Sequence, residues 1–155
     1  MEKIEIVPAT KEHLLELSLN MADDDVEELM NLQGLSPLEG LEYAMRVSHD
    51  TKAGLVNGKV LFVFGTTPVD KYALGDVVVA WLLGSKDLPA HKRAFIRFSL
   101  QLRDKLKSQY RVLCNTVDAK HTRGLRWLEW LGFTIRPAAP YGASGAMAHT
   151  VVLGA

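Results

Sequence analysis

Seven consecutive apolar residues, Val77 to Leu83 in GDVVVAWLLGS (75 to 85), constrain the fold more than any other stretch. A strand with one face in water alternates polar and apolar residues. This run does not, so it needs apolar cover on both faces and reads as the central strand of a sheet. The next segment, HKRAFIRFSLQLRDKLKSQY, repeats Phe95, Phe98, Leu102 and Leu106 along one helical face. YRVLCNTV (110 to 117) then returns to a strand pattern. Strand, helix and strand in that order call for a parallel neighbour beside the central strand.

The flanking segments fill in the sheet. IEIVPAT (4 to 10) alternates as a first strand, Thr10 caps a helix through Leu14, Leu15, Leu17 and Leu19, and DDDVEELMNL continues as helix or as a second short turn of it. Ser36, Pro37 and Glu39 occupy the N-cap, N1 and N3 positions of another helix, which should run to about Ser48. In AGLVNGKVLFVFGTTPV the Asn57-Gly58 pair suits a type I′ turn, whose two central residues take positive φ, so the two apolar runs form a hairpin. TPVDKY is the following loop. After the Cys114 strand, a helix from about Thr122 to Trp130 stops at Gly132, and the tail holds two strand candidates around PYGASG. The sum is an α+β chain with a mixed sheet, and its 155 residues have the length of one domain, 1 to 155.

Charge narrows the function classes. Lys+Arg and Asp+Glu are equal at 18 each, which removes any bulk attraction to nucleic acid or membrane. The distribution is two-sided: Asp23, Asp24, Asp25, Glu27 and Glu28 lie in an acidic first third, while Lys86 to Arg136 is rich in cations. A nucleic-acid module built on the basic helix is the weakest reading, because its aromatic residues lie on the apolar side and no recognised motif is present. Cys114, the single cysteine, excludes an internal disulfide and reads as a small buried hydrophobe. MEKIEIVPAT has no apolar h-region and no window is apolar enough to span a bilayer, so export by a signal peptide is not expected.

The element order, together with LRWLEWLGF at the end of the last helix, resembles the GNAT acyltransferase superfamily, whose corresponding helix commonly ends in Leu-Tyr-x-x-Leu-Gly-Phe. Within it, residues 76 to 133 are most similar to internal virion protein A-type proteins of short-tailed phages. The resemblance implies a mainly antiparallel mixed sheet with one splayed parallel strand pair, and acetyl-CoA held between the strand at 77 to 83 and the strand at 111 to 117. It places Leu82, Leu83, Gly84, Ser85, Lys92, Arg93, Asn115, His121 and Leu128 at that cofactor. It also implies departures. GSKDLPAHKR replaces the family's Gln/Arg-x-x-Gly-x-Gly/Ala phosphate loop, and Leu128 stands where many members carry a proton-donating Tyr.

Other candidates have everyday roles beside chemical ones. His121 follows Asp118 at a spacing that suits helix capping, against a role as base. Tyr141 is the other candidate acid, against a solvent-exposed turn residue. Trp81, Trp127 and Trp130 suit packing, with Trp127 or Leu131 facing the sheet and Arg123 and Arg126 facing water. No base is evident, since the central strand has no Glu and Asp76 lies at its start. No metal site is expected. The leading expectation is a virion-associated or host-interacting protein whose acyltransferase chemistry has lapsed, located in the host cytoplasm or virion interior. The alternative is an active acetyl-CoA-dependent N-acetyltransferase.

Overall fold

The computed structural model describes residues 3–69 and 76–154; residues 70–72 of the predicted TPVDKY loop, and Gly75, lie outside them. The elements in order are β1 (Glu5–Pro8), α1 (Lys11–Leu19), α2 (Asp23–Gln33), α3 (Pro37–Val47), β2 (His49–Val56), β3 (Lys59–Pro68) and β4 (Val77–Gly84). A 3-10 turn (Leu88–His91), α4 (Lys92–Gln109), β5 (Val112–Asp118), α5 (Thr122–Trp130), β6 (Thr134–Ile135), β7 (Ala139–Tyr141) and β8 (Ala146–Gly154) complete the chain. The sheet runs β1-β2-β3-β4-β5-β8-β6 with β7 on β8, antiparallel except for the parallel pair β4–β5. This is the predicted α+β architecture, with the valine-rich strand at its centre.

The uninterrupted apolar run is explained by two cores. On one face Ala53, Val63 and Leu83 pack with Leu14 and Leu17 of α1, Leu29 of α2 and Leu41 of α3. On the other, Val78, Leu113 and Val151 pack with Leu131, while Phe62 and Leu61 pack with Phe95 of α4. Phe62 is fully buried, its ring centroid 5.4 Å from Phe95, 4.9 Å from Phe98 and 5.8 Å from Phe64. Burial of one such ring contributes about 1.5–3 kcal/mol. Gly54 makes the space, because a Cβ there would lie 2.4 Å from the Phe62 ring.

Local signals act as their chemistry requires. Asn57 and Gly58 turn the β2–β3 hairpin with φ of 52° and 79°. Ser36 and Glu39 form a reciprocal capping box on α3. Two elements differ from expectation. The acidic segment does not continue α1: Ala22 N–H donates to Gly84 C=O (2.9 Å) and Lys86 N–H to Asn20 C=O (2.9 Å), so residues 20–22 add a short antiparallel rung beyond β4. That rung separates α1 from α2. In the tail, a two-residue strand and a β7–β8 hairpin replace the two simple strands.

Candidate functional site: the opening between β4 and β5

Strands β4 and β5 pair only over Val77↔Val112 to Val79↔Cys114. The next rung is made by a side chain, Asn115 Nδ2 donating to Ala80 C=O at 2.9 Å. Beyond it each strand follows its outer neighbour, β4 with β3 as far as Gly84 and β5 with β8 as far as Asp118. The divergence opens a cleft of about 910 Å³ whose walls include Phe95, Trp127 and Leu128 of α4 and α5.

The backbone facing this cleft is partly claimed. The Gly84 N–H donates to Asp25 Oδ2 at 2.8 Å and its C=O accepts from Ala22. The Ser85 N–H points the other way, to Leu61 C=O on β3. Backbone polar groups alternate sides along a strand, so Leu82 turns its N–H and C=O into the opening while Leu83 turns its own to β3. Leu83 also buries its side chain in the α1–α3 core.

Helix α2 spans the open end. Asp25 and Glu28 are three residues apart and so share a helix face. Asp25 binds the β4 arm through Gly84; Glu28 Oε2 accepts the Asp118 N–H of the β5 arm at 2.9 Å, and Asn31 Nδ2 donates to Asp118 Oδ2 at 2.8 Å. Between them His121 Nε2 lies 2.8 Å from Asp25 Oδ1, and its Nδ1 accepts the Gly124 N–H at 3.1 Å. His121 thus caps α5, as its spacing predicts, and also joins the acidic pair.

Burial foremost, with the Asp25 and Asp118 carboxylates adding, pushes the Glu28 carboxyl up to about 7, against the pull of His121 and the Asp118 N–H. For His121, burial works downward, but the Asp25 hydrogen bond and the charges of Glu28, Asp25 and Asp24 outweigh it and carry the ring up to about 9. The Gly124 bond opposes protonation too, since an Nδ1 that accepts cannot carry a proton. One donor atom from each of Asp25, Glu28 and His121 lies within 4.8 Å of the others, a spacing that could hold a metal ion. The tautomer speaks against it: with Nδ1 accepting, the neutral ring carries its proton on Nε2, where a metal would have to bind.

At the α4 end, helix α4 follows directly on the 3-10 turn and begins without a side-chain cap, and Lys92 lines the cleft beside its start. Pro89 sits in the preceding 3-10 turn, and no glycine nest is present there. Arg103 donates to Leu131 C=O at 3.1 Å and bridges Asp104 at 3.0 Å.

Of the residues singled out in the sequence, Leu82, Gly84, Ser85, Lys92, Asn115, His121 and Leu128 line the cleft. Leu83 faces the opposite core, while Arg93 on α4 and Tyr141 on β7 are exposed and do not line it. Trp127 packs 5.6 Å from Phe95 with its Nε1 donating to Ser99 Oγ, and Leu131 is buried, while Arg123 and Arg126 are exposed, the predicted orientation of α5. Trp81 donates to Ser48 Oγ at 2.8 Å. Cys114 is half-buried with its thiol pushed up by burial, in keeping with an unreactive side chain. Asp25 and Glu28 are site residues that the sequence pattern does not single out.

No protein-family model matches the chain, and no curated protein matches it in sequence. Solved structures match throughout its length. A ribosomal-protein-alanine N-acetyltransferase from Brucella melitensis superposes with a TM-score of 0.72 at 14% identity, covering 97% of this chain and 99% of that one. The aminoglycoside acetyltransferase AAC(6')-Ib, in complex with coenzyme A and kanamycin, gives 0.69 at 14% identity over 98% and 95%. A putative acetyltransferase from Salmonella typhimurium, with its cofactor acetyl-CoA, gives 0.68 at 11% identity over 98% and 94%. With its central splayed pair, its flanking helices and these neighbours, the chain has the GNAT acetyltransferase fold.

Proposed function

We propose that the cleft binds an acyl-CoA and that the protein transfers the acyl group to an amine. The observation that carries this reading is the divergence of β4 from β5, which leaves the Leu82 N–H and C=O turned into an apolar-walled slot. When bound, acetyl-CoA supplies an activated thioester. The Leu82 N–H is placed to donate to the thioester oxygen as charge develops on it. The Leu82 C=O accepts from an amide of the pantetheine arm. The start of α4, with Lys92, faces the pyrophosphate, so a helix terminus and one cation serve in place of a glycine loop. Holding amine and thioester in contact lowers the barrier by up to about 7–11 kcal/mol when the alignment is good. Leu128 has no proton to give, a loss of roughly 10²-fold or more where a positioned acid would act.

Titration calorimetry with acetyl-CoA tests the reading. A dissociation constant in the micromolar range is expected, and absence of heat at millimolar ligand overturns it. A second reading has two observations in its favour: Leu128 is inert, and the Gly84 N–H and C=O are already bound by Asp25 and Ala22. On that reading the scaffold serves as a virion-associated or host-interacting protein without chemistry, and the same titration gives no binding.

A further inference from the structure

We propose that Glu28 is both base and acid in the reaction, accepting one proton from the incoming amine and returning it to the departing thiolate. The inference rests on the acyl-transfer reading above. Its basis is placement. Glu28 comes from α2, the helix that crosses the open end of the cleft, and Oε2 is fixed by the Asp118 N–H at 2.9 Å. Oε1 is left for the cleft, which Glu28 lines. Gly84, whose N–H is tied to the same helix, lies two residues along β4 from Leu82, about 7 Å at strand spacing. An amine nitrogen held between the Leu82 level and Oε1 is within reach of the carboxylate directly or through one water.

The other ionisable side chains there have different tasks. Asp25 is engaged on both oxygens, by Gly84 and His121, and Asp118 accepts from Asn31 and Lys120. His121 is held at both ring nitrogens. The titratable groups facing Glu28 are Asp25 on α2, Asp118 on β5 and His121 on α5, with Asp24 of α2 acting on His121 and Arg123 of α5 also lining the cleft. Burial among these carboxylates keeps Glu28 near neutrality, where one group both takes and gives a proton readily.

The steps balance. The ammonium R–NH₃⁺ gives one proton to Glu28, and the free amine forms the C–N bond as the C–S bond breaks. The second nitrogen-bound proton leaves to water, and the protonated Glu28 carboxyl protonates the thiolate. The products are the amide, CoA–SH and one proton released to solvent.

The test measures thiol release from acetyl-CoA against pH for the wild type and Glu28→Gln, with spermidine, kanamycin, an alanine-terminated peptide and water alone as acceptors. The wild type should show kcat/KM rising with a midpoint near 7. E28Q should lack that limb and be roughly 10²–10⁴-fold slower. Calorimetry should find acetyl-CoA bound by E28Q within about threefold of wild type, which separates loss of the base from loss of the cofactor site. Glu28→Asp should restore part of the rate together with the limb. E28Q within about threefold of the wild-type rate, a limb that survives in E28Q, or acetyl-CoA bound without thiol release overturns the assignment. Should E28Q fail to fold, a wild-type profile without a limb between about pH 5.5 and 8.5 overturns it equally.

Discussion

At the scale of single residues, the site is a contest between burial and charge. Glu28 has a folded pKa of about 7 against an ordinary 4.5, so the folded chain holds an extra proton; the stabilisation is complete below 4.5 and lost as pH rises to 7. His121, at about 9 against 6.5, works in the same direction, less the Gly124 hydrogen bond that the ring gives up when Nδ1 takes a proton: its contribution is complete below 6.5 and gone above 9. Urea unfolding should therefore show stability falling steadily from about pH 5 to 9. Glu12 and Glu39, both lowered by backbone and hydroxyl hydrogen bonds at their caps, act only on the acid side of that range. The amide introduced by Glu28→Gln mimics the protonated carboxyl and keeps an acceptor for the Asp118 N–H. That substitution should gain about 1–3 kcal/mol at pH 8 and flatten the lower half of the curve. A curve that rises with pH would contradict both shifts. Neither Asp25 nor Glu28 announces itself in the sequence. DDDVEELM reads as a solvated acidic face because Asp and Glu are seldom buried, and the partner His121 is 96 residues from Asp25.

At the scale of elements, legibility follows the range of the interactions that decide each one. The helical period of Phe95, Phe98, Leu102 and Leu106, the Asn57-Gly58 turn and the Ser36 capping box are local, and each forms where the sequence places it. The break between α1 and α2 is hidden because its cause is the pairing of residues 20–22 with Gly84 and Lys86, more than sixty positions away. Gly54 is another long-range requirement: it stands opposite Phe62 across the β2–β3 hairpin. Gly54→Ala places a methyl against a fully buried ring enclosed by Phe95, Phe98 and Phe64, and should cost about 1–3 kcal/mol, read as a lower urea midpoint with unchanged slope. Within the site, Asn115, His121 and Leu128 are legible through the strand and Gly-Phe pattern. The orientation of Leu83 is not: which strand residues turn their backbone to the cleft depends on register.

At the scale of the molecule, the cleft carries Asp24, Asp25 and Glu28 on α2 and Lys92 at the start of α4, with Lys86, Arg123 and Arg126 also on its walls. On the acyl-transfer reading the α2 acids would meet a cationic amine and Lys92 the anionic cofactor. Among the described residues no helix is long and apolar enough to cross a membrane. On the acyl-transfer reading, hydrogen exchange with saturating acetyl-CoA should slow at residues 80–84 and at the first turn of α4, leaving β1 and β2 unchanged. Protection confined to α2 would place the ligand elsewhere.

Helix α2 is bolted to β4 through Asp25 and to β5 through Glu28 and Asn31. The aperture of the slot and the seating of this helix are therefore one mechanical coordinate. A contact made on its outward side, where Met30 is exposed, should therefore register in the slot as a change in width.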